Sequence, residues 1–143
     1  MSRRRDELVP GQPNVIVFES YVSSENDLTV HIDVHSKARL SELGAITRKM
    51  SAGEVQAIHL SEIEGAHWVS PLADVVLALS ARGSDVRNHR RGERLVCEWR
   101  DSVEGWLEST EKIAVMIAST TPCHQYFEGS RAESVTIELA YLE

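Results

Sequence analysis

The stretch SPLADVVLALSARG, residues 70–83, decides how the fold is read. By the rules of helix termini, Ser70 is an N-cap, Pro71 falls at the first helical position and Gly83 follows the end. Leu72, Val75, Val76 and Leu79 then form an apolar stripe at helical spacing. The pattern predicts a helix over 71–82 that needs a sheet to cover.

Strands are expected around it. NVIVFES (14–20) is apolar and β-branched. DLTVHIDVH (27–35) alternates, with Val30, Ile32 and Val34 on one face and Thr29, His31, Asp33 and His35 on the other. YVSSEND between them has the length of a hairpin loop. Ser36 caps a further helix carrying Leu40, Leu43, Ile46, Thr47 and Met50, which stops near Gly53. EVQAIHLSE (54–62) and ERLVCEWR (93–100) read as strands, and SVTIELAYL (134–142) closes the chain as a strand with Val135, Ile137, Leu139 and Tyr141 inward.

DSVEGWLESTEKIAVMIAST (101–120) carries two patterns. Val103, Trp106, Leu107, Thr110, Ile113, Ala114 and Ile117 have helical spacing, and Asp101 with Glu104 resembles a capping box. Against this, Gly105 lies in the interior and residues 113–121 are rich in β-branched side chains. The second consideration predicts two strands, 102–109 and 112–120, followed by a loop, TPCHQYFEGSRAE. The order β-β-α-β-α-β-β-β-β does not repeat βαβ. The expected class is α+β, a mainly antiparallel sheet with two helices packed on one face. Residues 1–12 are expected to be a tail and 13–143 a single domain.

The composition, 42% apolar and 26% charged, is that of a globular chain. MSRRRDELVPGQP lacks the apolar segment of a signal peptide, and no apolar run approaches membrane-spanning length. Two cysteines, Cys97 and Cys123, make no disulfide framework, and a buried free thiol is expected at Cys97. These features fit a cytoplasmic protein. A net charge of −7 argues against nucleic acid as a partner, because phosphate binding rests on Lys and Arg. From Leu95 onward three bases face nine acids. Just before, RGSDVRNHRRGER gathers Arg82, Arg87, Arg90, Arg91 and Arg94 in what reads as a solvated loop, with an anion or RNA contact as the lesser reading.

The only stretch that looks like chemistry is HIDVH (31–35), where a strand puts His31, Asp33 and His35 on one face. Residues i and i+4 of a regular strand are about 13 Å apart, so His31 and His35 do not share one metal ion. His31 with Asp33, or Asp33 with His35, needs a ligand from another strand, and the spacing of His59, His67 and His124 recommends none of them. A solvated polar face with no metal and no cofactor is therefore expected. No nucleophile motif or phosphate loop is present. Glu62 with Glu64 has the makings of an acid–base pair, but such pairs in an acidic chain are usually solvated.

An interaction surface is better supported. On a strand over 102–109, Glu104, Trp106 and Glu108 share a face, an aromatic framed by carboxylates that suits a basic partner. Glu62, Glu64 and Trp68 repeat the composition. The run from PLADVVLALSARG through WRDSVEGWLES to an alternating strand resembles small bacterial proteins of the WapI-like immunity type. Trp99, Ser102, Glu104, Gly105 and Leu107 approximate that group's W-x-S-x-E-G-x-L, with one extra residue after Trp99. The resemblance covers about the second half of the chain. It implies a cytoplasmic protein that neutralises a toxin by binding it, without catalysis. The expectation is thus a small acidic protein-binding module with a basic protein partner. The alternatives are a small hydrolase or ligand-binding protein using the His31/Asp33/His35 face, or an oligomer, such as a homodimer, with Trp106 in the subunit interface.

Overall fold

A computed structural model describes residues 15–22, 28–128 and 135–142. They form nine strands and two helices, an α+β arrangement. In chain order these are β1 (Ile16–Val22), β2 (Leu28–Val34), α1 (Lys37–Ser51), β3 (Ala57–His59), β4 (Ala66–Trp68), β5 (Leu72–Leu79), β6 (Asp85–Arg91), β7 (Arg94–Asp101), α2 (Val103–Ala118), β8 (Cys123–Glu128) and β9 (Val135–Tyr141). The expected tail, 1–12, lies outside the described residues, as do most of the first loop and residues 129–133 of the second.

Two sheets replace the single one expected. The first runs β4-β1-β2-β9-β8 and the second β3-β5-β7-β6. Both are mixed: β1–β4, β2–β9 and β5–β7 pair in parallel, while β1–β2, β3–β5, β6–β7 and β8–β9 are antiparallel.

The expected helix over 71–82 is the strand β5, flanked by β3 and β7. Leu72, Asp74, Val75, Leu77 and Ala78 are buried along it. A strand covered on both faces reads as a continuous apolar run, and eight such residues contain a helical subset by default. The Ser70–Pro71 peptide is cis, and Pro71 stands immediately before β5. Asp74 is the polar exception inside the run. Its carboxylate accepts the Ser61 backbone N–H at 3.0 Å and lies 2.7 Å from His59 Nδ1.

The reverse correction applies to 102–109 and 112–120, which are one helix, α2. Ser102 is its N-cap, accepting the Gly105 N–H at 3.0 Å, so the cap is Ser102 and not Asp101. The Asp101 carboxylate instead accepts the Ser102 N–H at 2.8 Å. Gly105 is there because a Cβ would overlap that carboxylate. The interior glycine that argues for strands therefore makes room for a capping group.

The Arg-rich segment is also a strand rather than a loop. β6 is an edge strand with exposed Arg87, Arg90 and Arg91, the kind of charged border that discourages further strand pairing. Gly92, at φ 65°, makes the tight turn into β7. β8 occupies the first half of the expected second loop.

α1 conforms to its reading: Ser36 accepts the Arg39 N–H at 3.1 Å, and Leu40, Leu43, Thr47 and Met50 are buried. The two helices pack antiparallel. Lys37, at the start of α1, donates to the carbonyls of Ile117 and Ser119 at the end of α2, at 2.6 and 2.7 Å. In the middle of the seam the Thr47 and Thr110 hydroxyls meet at 2.8 Å, both buried. α1 touches β2 and β5, and α2 touches β7 and β8, so the helix pair contacts both sheets. At the centre, Ile32, Ile137 and Leu139 of the first sheet, Leu43 and Ile113 of the helices, and Leu77 and Trp99 of the second sheet surround an apolar void of about 20 Å³.

Candidate functional site

The residues expected to bind a partner separate on folding. On α2, residues two apart point to opposite sides. Trp106 is therefore turned away from Glu104 and Glu108: it is fully buried, donates its indole N–H to the Ala78 carbonyl at 3.1 Å, and packs against Trp99 at 4.8 Å between centroids. This corrects the expectation of Trp106 as a surface anchor or subunit contact. Trp68 is half-buried and stacks on Phe18 at 4.0 Å, within 5° of parallel. Glu62 and Glu64 are exposed beside the 3-10 turn Leu60–Glu62, and the Glu64 carbonyl accepts a hydrogen bond from Arg39.

What remains at the surface of α2 has its own order. Trp106, Ser109, Thr110, Ile113 and Met116 form the buried side. Opposite them Glu104, Glu108 and Glu111 make an acidic ridge, all exposed. Beside the ridge runs an apolar row at positions 103, 107, 114 and 118, in which Val103 is 45% and Leu107 49% exposed. A shallow depression continues the row past the helix N-terminus, lined by Leu79, Ala81, Ser102, Val103 and Glu104.

The second polar assembly lies on the outer face of the first sheet. β2 buries Leu28, Val30, Ile32 and Val34 and turns Thr29, His31 and Asp33 outward, as its alternation requires. The register then supplies what HIDVH lacks by itself. Glu19 of β1 lies directly opposite His31 on one side, and Glu138 of β9 on the other. His31 Nε2 is 2.8 Å from Glu138 Oε1, and its Nδ1 is 2.8 Å from Asp33 Oδ1. Glu138 Oε2 in turn lies 3.0 Å from Nδ1 of His124 on β8. Ligand-type atoms of Glu19, His31 and Asp33 fall within 4.8 Å of one another. His35 stands at the end of β2 outside that group, as the strand repeat demands.

The electrostatics follow from three carboxylates sharing one patch. Burial raises the pKa of Asp33; His31 and His35 oppose the shift, and Glu19 and Glu138 add to it. The Tyr21 hydroxyl, hydrogen-bonded to Glu19, is also held above the ordinary phenol value, with burial and the charges of Glu19, Asp33 and Glu138 contributing. Sequence reasoning missed Glu19 and Glu138 as partners of His31. Both stand at outward positions of alternating strands, but which strands would be neighbours, and in what register, is a tertiary fact.

No family model, curated protein or solved structure matches this chain. Among the described residues no helix is long and apolar enough to cross a membrane.

Proposed function

We propose that this chain is a protein-binding module whose contact surface is the outer side of α2, and that its partner is basic. The observation that supports the reading is the pairing of an acidic ridge, Glu104, Glu108 and Glu111, with the exposed apolar row that contains Val103 and Leu107. Apolar rows of this kind hold a complex together, and flanking charge selects and steers the partner. A second copy of the chain fits poorly, since two molecules of net charge −7 would bring two acidic ridges together. The resemblance to WapI-like immunity proteins deepens the proposal: the basic partner is then a toxin, held inactive by occlusion in the cytoplasm. Many toxins act on nucleic acid and carry cationic sites that such a surface fits.

The test compares the wild-type chain with a Leu107→Asp/Glu108→Lys variant, both immobilised and exposed to the proteins of the source organism. Both substitutions are on exposed positions, so the fold should be retained. A basic protein retained by the wild type and lost by the variant, with association slowing as salt rises, supports the proposal. Equal retention by both, or capture of the chain itself alone, refutes it.

A further inference from the structure

The first sheet carries an arrangement that the α2 surface does not use. His31 Nδ1 and Asp33 Oδ1 form a 2.8 Å ion pair, yet neither of these buried atoms makes an aligned hydrogen bond. Buried polar atoms are normally satisfied by hydrogen bonds, so this pair leaves room for a better partner. The other ring nitrogen, Nε2, lies 2.8 Å from Glu138 Oε1. A carboxylate holding the far nitrogen of a histidine is the usual outer partner of a metal-bound imidazole. Here that carboxylate is itself fixed by His124. Glu19, the third donor, is oriented by the Tyr21 hydroxyl.

We propose that Glu19, His31 and Asp33 form a binding site for a divalent transition-metal ion, with Glu138 as the outer carboxylate against the far nitrogen of the histidine. One imidazole and two carboxylates suit Zn²⁺ and its borderline neighbours better than Ca²⁺ or Mg²⁺, which favour all-oxygen sets. Metal–ligand bonds of about 2 Å need the three donors drawn in from the 4.8 Å within which they now lie. His31 and Asp33 are still partly open to solvent, at 22% and 13% exposure, so three protein ligands leave coordination positions for water or an incoming anion. The ion would tie β1 to β2 directly and to β9 through Glu138.

The experiment titrates the full chain, stripped of metal, with ZnCl₂ in a calorimeter. One equivalent should bind saturably, CoCl₂ should compete, and CaCl₂ should not. Asp33→Asn and His31→Gln should each lose more affinity than Glu138→Gln, whose loss should be about 10–100-fold. His89→Gln, on an exposed position of the second sheet, should bind as the wild type does. A readout that needs no variant is paramagnetic: Co²⁺ should shift and broaden the His31 ring resonances and leave those of His89 sharp. No saturable Zn²⁺ uptake, uptake that survives both ligand variants, or Co²⁺ effects that do not centre on His31 would overturn the proposal. None of these results depends on the α2 surface.

Discussion

At the scale of single residues, Trp106 shows how far a side chain's role depends on the backbone that carries it. On a strand it would stand between two carboxylates; on α2 it fills the core and donates to Ala78. Trp106→Ala should therefore cost about 3–5 kcal/mol in a denaturant melt, the usual loss for a large buried aromatic. Trp106→Phe should keep most of the packing but leave the Ala78 carbonyl without this donor, a loss of about 1–3 kcal/mol. A negligible change in both would mean the indole is at the surface after all. The two cysteines offer a second check. Cys97 is fully buried, and burial, with a smaller effect of Glu98, pushes its thiol up to about 12. Cys123 is half-buried. Since the thiolate is the reactive form, iodoacetamide should modify Cys123 of the native protein and spare Cys97, and should modify both in denaturant. Mass spectrometry of the digested protein reads the result, and rapid native labelling of Cys97 would contradict the packing of β7. The burial of Cys97 was legible in its alternating, β-branched surroundings. The roles of Glu19 and Glu138 were not, because a residue's cross-strand neighbour depends on a register that no local pattern encodes.

At the scale of elements, β2, α1, β7 and β9 were legible because each carries one unambiguous period. β5 and α2 exchanged their readings for opposite reasons. β5 is apolar on both faces, so its period is hidden, and the Ser-Pro and Gly that border it imitate helix caps. α2 has the correct period, but its glycine and β-branched residues spoke against a helix when judged by intrinsic propensity alone, and tertiary packing overrides such preferences. Gly105 can be tested directly. Alanine favours a helix over glycine by about 1 kcal/mol, yet Gly105→Ala should fail to stabilise this protein because the methyl group displaces the Asp101 carboxylate. In an Asp101→Ala background the same change should become stabilising. Thermal melts of the four proteins make the cycle, and additivity would show that the two residues do not share that space. β5 is tested by neighbouring leucines. Leu77 is 1% exposed whereas Leu79 is half-buried. Leu77→Ala should cost about 2–5 kcal/mol, and Leu79→Ala distinctly less. The helical stripe places Leu79 inward and would reverse that order.

At the scale of the whole molecule, the question is whether two sheets amount to one cooperative unit or two. The charge is divided: exposed arginines line the edge strand of the second sheet, and an acidic ridge lies along α2. The core is not divided. Ile16, Val30 and Ile137 of the first sheet belong to the same buried cluster as Val75, Cys97 and Trp99 of the second, with Leu40 and Ile113 of the helices between them. Neither sheet can leave without exposing the faces of α1 and α2 that cover it, because each helix touches a strand of both sheets. The antiparallel seam reinforces this, since Lys37 and the Thr47–Thr110 hydroxyl pair tie α1, which follows the first hairpin, to α2, which follows the second sheet. Chains of this length with one core usually unfold in an all-or-none transition. The amides of Ile32 in β2, Leu77 in β5 and Ile113 in α2 should therefore exchange with solvent only by global opening, with one common free energy equal to that from a denaturant melt. Edge strands such as β6 should open at lower cost. Hydrogen exchange followed by NMR under native conditions reads each site separately. If Ile32 and Leu77 exchanged with clearly different free energies, the sheets would be separate folding units, and the shared core would not be what holds this molecule together.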